Sequence, residues 1–548
     1  VKLKTYILGC VALCAALFTP VTPAHAQQGS ASNSALLDAL VKKGVLSDQE
    51  AEDINMQEEK QYSSTAASKI QMPSSIKTIT FYGDLRLRYE LREGSTPSGY
   101  TGTGGALLTH GDTQTMSRWR YRLRVGLKGD LYDNFFYGLR ASSNPYYDRS
   151  GNVNFGASDS GGEFGKGRNI LAIDQVYLGW KPTSDITLIG GQMPQPLYTT
   201  NMVWDDNLNP TGAAEKWDHT FDNGLEAFVT AGQFVYAASN GNGIVNALGS
   251  PDASTTFMFA EQVGIKYSFD KDTYFKAAPT FYSYSGSYNT TTTTVAGLYS
   301  TAPSALAAPN NSPSFFNGPF VGAASAPESN VSGINDLAVL ELPMEFDFKI
   351  GPGEHQVSSG DPKDMTMTNV GWSMPVRFFA DFAYNVDADQ RANAARGAIN
   401  ALPAAGGGNV GITGLATGNQ PLVHSPTVQG VLTSGKGFLD QAAYEVGVEV
   451  GALKKKGDWD GKLYWQSTGY YALDPNLVDA DIFNAATNMQ GIVASVSHNW
   501  TDGVSSQLRY AYGMPVNGKM ATPNVNQDLQ LGDIRTYNLF QADLMWKF

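Results

Sequence analysis

The sequence predicts an all-β fold: a transmembrane, antiparallel, up-and-down β-barrel of about 16 strands, preceded by a short N-terminal helical segment. Three observations predict it. From about residue 76 to the C-terminus, apolar and polar residues alternate with a period of two. Long connections rich in Gly, Ser, Thr, Asn and Pro alternate with tight turns. The chain ends on a strand-like stretch, "TYNLFQADLMWKF", that puts Phe540, Leu544, Trp546 and Phe548 on one face.

The elements follow in order. Lys2 and Lys4 precede an apolar run from Tyr6 to Phe18, and Ala24–Ala26 supplies small residues, so 1–26 reads as a signal peptide with the mature chain starting near Gln27. The run is shorter than the roughly 20 residues of a membrane-spanning helix. Both cysteines, Cys10 and Cys14, lie in this leader, which leaves the exported chain without a disulfide. Residues 27–72 read as a periplasmic helical hairpin and linker: Leu36, Leu37, Leu40 and Val41 have helical spacing, Gly44 breaks it, and Ser47 with Glu50 forms a capping box. A solvated spacer is the alternative for this segment. Residues 73–548 are assigned to the barrel, with strands at 76–92, 116–129, 134–143, 170–181, 185–192, 214–221, 225–238, 257–269, 273–285, 336–350, 373–385, 440–452, 458–470, 489–500, 504–513 and 536–548. The sixth is the weakest and is admitted partly because an even count returns both ends of the barrel to one side.

The connections discriminate between barrel and soluble sandwich. After odd-numbered strands they are long, as in "NTTTTTVAGLYSTAPSALAAPNNSPSFFNGP". After even-numbered ones they are tight, as in "DLYDN", "KPTSD" and "TDG", with 351–371 the exception. A sandwich has no reason to sort its loops this way, whereas a barrel whose two ends face different compartments does. The net charge of −13, more negative by two without the leader lysines, makes the chain a poor nucleic-acid binder.

Sorting each strand by face gives candidate site residues. Arg86 and Arg88 on the first strand, Arg118, Arg120, Arg122 and Arg124 on the second and Arg140 on the third share the inward face and form a basic wall. Leu85, Leu87, Trp119 and Tyr121 alternate outward. Glu341, Glu345 and Asp347 on the tenth strand, Asp381 on the eleventh, and Glu445 and Glu449 on the twelfth form an acidic wall across the lumen. Two readings follow: the walls impose a transverse field on the pore, or the lumen charges pair across adjacent strands and hold the wall together. The third long connection, 192–214, carries "QMPQPLYTTNMVWDDNLNP", and Trp204, Asp205 and Asp206 are its candidate constriction residues. The alternative is an ordinary solvated loop with an Asn209-Pro210 turn.

Enzyme signatures are missing from the sequence. The six histidines form no HExxH spacing and no GxSxG elbow appears, so no catalytic residue, cofactor or metal is assigned. His219, His355, His424 and His498 are what an outer-membrane hydrolase would have to draw on.

"SALLDALVKKGVLSDQEAEDI", "FYGDLRLRYELRE", "RWRYRLRVGLKG" and "IGGQMPQPLYTTNMVWDDNLNPTG" resemble the "putative porin" family of Gram-negative bacteria, most clearly over residues 34–235 and at the last strand. The resemblance implies an outer-membrane diffusion channel rather than an enzyme, passing small hydrophilic solutes and sitting among outer-membrane lipid and lipopolysaccharide, with a homotrimer as the oligomer expected. The C-terminal Phe548 strand resembles the signal read by the barrel assembly machinery. In many porins the third long loop folds into the lumen and narrows it. An anion-specific channel using the arginine ladder for phosphate or carboxylates is the nearest rival. A surface adhesin barrel without an open pore, or a secreted β-rich binding protein, is the rival from another class.

Overall fold

The computed structural model describes Lys43 and residues 73–95, 113–143, 151–156, 171–237, 256–285, 337–351, 355–358, 367–370, 372–393, 437–474, 477–483, 486–518 and 534–548. The expected signal peptide, the helical hairpin and His424 lie outside the described residues. The chain divides at Thr78/Ile79, and the second unit, Ile79–Phe548, is the barrel.

Sixteen antiparallel strands form its wall: β1 Thr80–Ser95, β2 Thr113–Asp130, β3 Phe135–Ser143, β4 Leu171–Trp180, β5 Ile186–Gln192, β6 Thr211–Thr220, β7 Leu225–Ala237, β8 Thr256–Ser268, β9 Tyr274–Ala277 with Thr280–Ser285, β10 Val339–Ile350, β11 Met374–Asn385, β12 Ala442–Gly451, β13 Trp459–Thr468, β14 Met489–Asn499, β15 Val504–Pro515 and β16 Thr536–Lys547. Each pairs with the next in sequence, and β1 pairs with both β2 and β16, so the sheet closes. Closure gives every wall strand two partners, which is what a β-structure needs where no water can satisfy its backbone.

The predicted strands correspond one to one with these, and the differences have physical causes. The expected ninth strand is broken at Ala278-Pro279, because proline has no N–H to give the ladder and Pro343 of β10 faces the same gap, where its carbonyl accepts from Ala278 N at 3.2 Å. The start expected at 440 moves to Ala442, since Phe438–Gln441 forms one helical turn first. The exceptional connection after β10 contains a small hairpin of its own, His355–Ser358 with Met367–Val370. The "DLYDN" turn closes on Leu131 N to Phe135 O at 2.8 Å with Asp133 and Asn134 at φ 58° and 62°, a conformation these two residue types tolerate best after glycine.

The outer face carries the alternate residues. Leu87, Trp119, Leu139, Val263, Leu340, Phe378, Val446, Ile492, Leu508 and Leu544 are all exposed there. At the short-turn end the belt becomes aromatic: Phe81 stacks on Phe548 with ring centroids 5.7 Å apart, Phe135 on Trp180 at 5.7 Å, and His498 lies between Trp459 at 4.2 Å and Trp500 at 4.7 Å. An apolar band ending in a ring of aromatics is the pattern of a bilayer-spanning barrel. The apolar core is inside, where Met202, Val203 and Trp204 of the β5–β6 connection and Leu473, Val478 and Ala480 of the β13–β14 connection pack on the inner wall.

Candidate functional site

The inward face of β1 reads Asp84, Arg86, Arg88, Glu90, Arg92, and the register sets Arg86 opposite Arg122 and Arg88 opposite Arg120. Like charges directly opposite one another repel. Carboxylates interleave to offset this. Asp84 accepts from Arg122 Nη2 at 3.0 Å and Arg124 Nε at 2.7 Å. Glu90 accepts from Arg92 Nε at 2.9 Å and pairs with Arg118 Nη2 at 2.6 Å. Arg88 makes a fork on Asp543 of β16, at 2.7 and 2.8 Å, and Arg140 makes another on Asp174 of β4. Such forks are the strong form of the guanidinium–carboxylate pair.

All seven arginines of the expected basic wall lie on its inward side, but the row does not stand bare in the lumen. Arg88 is 1% exposed and Arg120 2%. Asn152, from the β3–β4 connection, accepts from Arg86 Nη2 at 2.7 Å through its side chain and from Arg120 Nη2 at 3.0 Å through its backbone. Asn207 accepts from Arg122 Nη1 at 3.1 Å. The physical reason is the density of positive charge, which draws carboxylates from the neighbouring strands and amide oxygens from the loops. Of the seven, only Arg86 reaches the lumen cavity described below.

The connection from Met193 to Pro210 runs through the interior. Starting between β5 and β6, it reaches β10 and β11 on one side and β2 and β4 on the other, which requires crossing the lumen. Thr199 Oγ1 donates to Glu341 at 2.6 Å, Thr200 donates to Asp381, Tyr198 N donates to Gln262 Oε1 at 2.9 Å, and Gln175 Nε2 donates to Asn209 at 2.8 Å. Glu341 and Asp381 of the expected acidic wall thus anchor this loop. Trp204 is buried against Phe234 and donates its Nε1 proton to Leu208 O at 3.1 Å. The two aspartates diverge. Asp205 is fully buried and accepts from Asn207 N at 2.9 Å and Ala480 N at 3.0 Å, while Asp206 is exposed to the cavity.

Ala480 belongs to a second inward connection, between β13 and β14, which sequence reasoning passed over as one more long loop. It bonds to the first through Asp205 N to Leu477 O at 2.7 Å and Asp479 N to Asn201 O at 3.2 Å. It bonds to the basic wall through Asp481, whose carboxylate lies 2.8 Å from Arg88 Nη1. Burial alone pushes the Asp481 carboxyl up, but Arg88 and Arg86 outweigh it and hold the group well below the usual carboxylate range. Asp479 goes the other way: burial, then repulsion from Asp205 and Asp481, pushes it well up. A signal was present. "VDADIF", Val478 to Phe483, alternates acids with apolar residues where the other long loops are Ser-, Thr- and Asn-rich.

Between the two loops and the β10–β15 wall lies a cavity of about 450 Å³. Arg377 bridges Glu345 and Glu449, and Lys462 sits over the Phe379 and Tyr464 rings at 4.3 and 4.7 Å. Arg509 donates to Gln541 at 3.1 Å and Gln507 at 3.0 Å. Glu445 also lines this space, and Asp347 sits on β10 opposite Arg377. Arg377, Lys462, Arg509 and Asp460 were not assigned from the sequence, which singled out only the acids on this side. Single cations spaced along β11, β13 and β15 make no run, so pattern alone did not mark them. Phe540, Leu544 and Trp546 are exposed on the outer face, and the backbone of Phe548 pairs with Gly83 at 3.0 and 3.1 Å. His219 and His498 stack with aromatics of the outer belt, and among the described residues no group of three His, Cys, Asp or Glu could hold a metal ion.

A family model described as "Putative porin" matches residues 63–317. Over those residues, a little under half of its length, the chain resembles the putative porins. The match runs from the segment before β1 through β9 and the connection after it, and with the closed sixteen-strand barrel it supports an outer-membrane channel. No curated protein matches this chain. Among solved structures it is similar to Salmonella typhi OmpF in complex with daunomycin, at 9% identity over 87% of this chain and 100% of that one, with a TM-score of 0.38. It is similar also to the outer membrane channel DcaP of Acinetobacter baumannii, at 12% identity over 87% and 99% with a TM-score of 0.35, and to a mutant of the Rh. blastica porin, at 7% identity over 86% and 100% with a TM-score of 0.33.

Proposed function

We propose that this protein is a porin, forming a narrow, water-filled outer-membrane channel for passive diffusion of small hydrophilic solutes and ions, with a preference for cations. The observation that carries the reading is the ionisable cavity inside a closed barrel. Among the described lining residues seven acidic side chains stand with four basic ones, and an excess of one sign of charge sets the selectivity of a pore. In this reading the loops anchored on Glu341, Asp381 and Arg88 form the constriction, and the arginine wall is the scaffold on which they dock. The anion-specific rival loses support because its ladder is buried among carboxylates and amides. The barrel sits among outer-membrane lipid and lipopolysaccharide, is inserted by the barrel assembly machinery through its Phe548-ended strand, and works as a homotrimer.

The test is single-channel recording of the refolded protein in a planar bilayer under a salt gradient, with cross-linking for the trimer. Stable open steps with a cation-sided reversal potential support the reading. Folded, inserted barrels that give no steps overturn it in favour of the adhesin.

A further inference from the structure

We infer that the lumen cavity is a binding site for small zwitterions, solutes that carry an ammonium and a carboxylate together, as amino acids do. This rests on the channel reading and names the solute class for it.

The argument begins with which charges are already taken. Arg377 is held by Glu345 and Glu449, and Arg86 by Asn152. Lys462 and Arg509 are different: one rests on aromatic rings and the other on two amide oxygens, and neither is closed into an ion pair among the described residues. On the acidic side Glu445 is 5% exposed, lines the cavity and attracts Lys462 from the neighbouring strand, but the two are not closed into a hydrogen bond or an ion pair among the described residues, while Asp206 faces the same space from the loop. A carboxylate entering the cavity meets the ammonium of Lys462 and the N–H fork of Arg509. An ammonium meets Glu445 and Asp206.

Charges of both signs left open in one cavity discriminate against solutes of one sign. A simple anion gains Lys462 and Arg509 but also meets the excess of carboxylates. A simple amine gains those carboxylates but brings nothing to Lys462 and Arg509, and competes with Lys462 for Glu445. Only a solute with both groups satisfies both sets at once. The aromatic floor adds a surface for the solute's carbon skeleton: Phe379 and Tyr464 approach each other at 6.0 Å over Gly447, where any side chain would collide with both. The volume of about 450 Å³ corresponds to roughly fifteen waters, enough for an amino acid with part of its hydration.

The experiment uses the refolded full-length protein in planar bilayers at low ionic strength, where such pairings are least screened. Three probes of matched size are added in turn: L-alanine, ethylamine and propionate. The expected result is saturable block of the potassium chloride current by alanine at concentrations where its two halves give little. Lys462→Met and Glu445→Gln should each weaken alanine block by about fivefold, the scale of a partly exposed ion pair, with Asp206→Asn as the loop-side counterpart. Barrel folding is checked for each variant by circular dichroism. Open steps blocked equally by all three probes, or by one half alone, overturn the inference and leave the channel intact. Absence of open steps overturns both.

Discussion

One carboxylate oxygen of Asp481, carried by the β13–β14 connection, lies 2.8 Å from Nη1 of Arg88 on β1, while the opposite edge of the same guanidinium grips Asp543 on β16. One arginine therefore ties a loop that enters the lumen two strands away to the seam where the sheet closes. Asp481→Asn leaves Arg88 with one carboxylate fewer and Arg86 nearer to water. Breaking a buried pair from one side costs about 3–5 kcal/mol. The expected outcome is a loop that undocks, seen as larger and noisier single-channel steps and a shift of the reversal potential toward anions. Unchanged steps would mean that the loop is held without this ion pair, by the side chains of Arg92 and Gln541 on the Asp481 carbonyl and by its bonds to the first inward loop.

The same loop gives opposite pH arms. Asp481 is held below the ordinary carboxylate range by Arg88 and Arg86, so its contribution to docking is present above that range and lost as pH falls through its lowered value. Asp479 is pushed above the range by burial and by its carboxylate neighbours. Its contribution is full below the range and lost as pH rises through the raised value. Docking should therefore be tightest between the two, with channel noise rising on either side. Asp481→Asn should abolish the acid arm and Asp479→Asn the alkaline arm; noise spectra recorded across pH check both.

Gly447 is a position in the cavity wall with no room for a side chain. A Cβ there would come 2.4 Å from Tyr464 Cβ and 2.5 Å from Phe379 Cζ. Gly447→Val should cost about 1–3 kcal/mol through overpacking and displace the ammonium of Lys462 from its rings. Chemical unfolding of the refolded barrel reads the first effect, and a changed reversal potential reads the second. Gly461→Val, where the nearest atom to a new Cβ is 4.0 Å away, is the control.

The wall of this fold was legible because a barrel strand repeats every two residues and every strand obeys it. The break in β9 was written in Pro279 and Pro343, but a proline pair matters only once the register sets them side by side. The inward side of Arg86 to Arg124 was also legible. What covers it was not, since Asn152, Asn207 and Asp481 arrive from three loops and have sequence separations from their arginines of 32 to several hundred residues. No local period encodes such contacts. The same holds for Thr199 on Glu341, which turns an expected pore-lining acid into a loop anchor.

Asp205 and Asp206 are equivalent in the sequence and opposite in the structure, which gives a paired prediction. Asp205 accepts from Asn207 N and from Ala480 N, and so carries one of the bonds between the two inward loops. Asp205→Asn keeps one acceptor but loses the charge that strengthens both bonds, a loss of about 1–3 kcal/mol for a buried acceptor. It should lower resistance to unfolding and loosen the constriction. Among the described residues Asp206 accepts no hydrogen bond, and it faces the cavity, so Asp206→Asn should leave unfolding unchanged and move the reversal potential away from cations. Side-by-side unfolding curves and salt-gradient recordings of the two variants separate these outcomes. If Asp206→Asn alters unfolding and leaves selectivity untouched, the loop's contribution to the pore is steric, and its negative charge plays no part in selection.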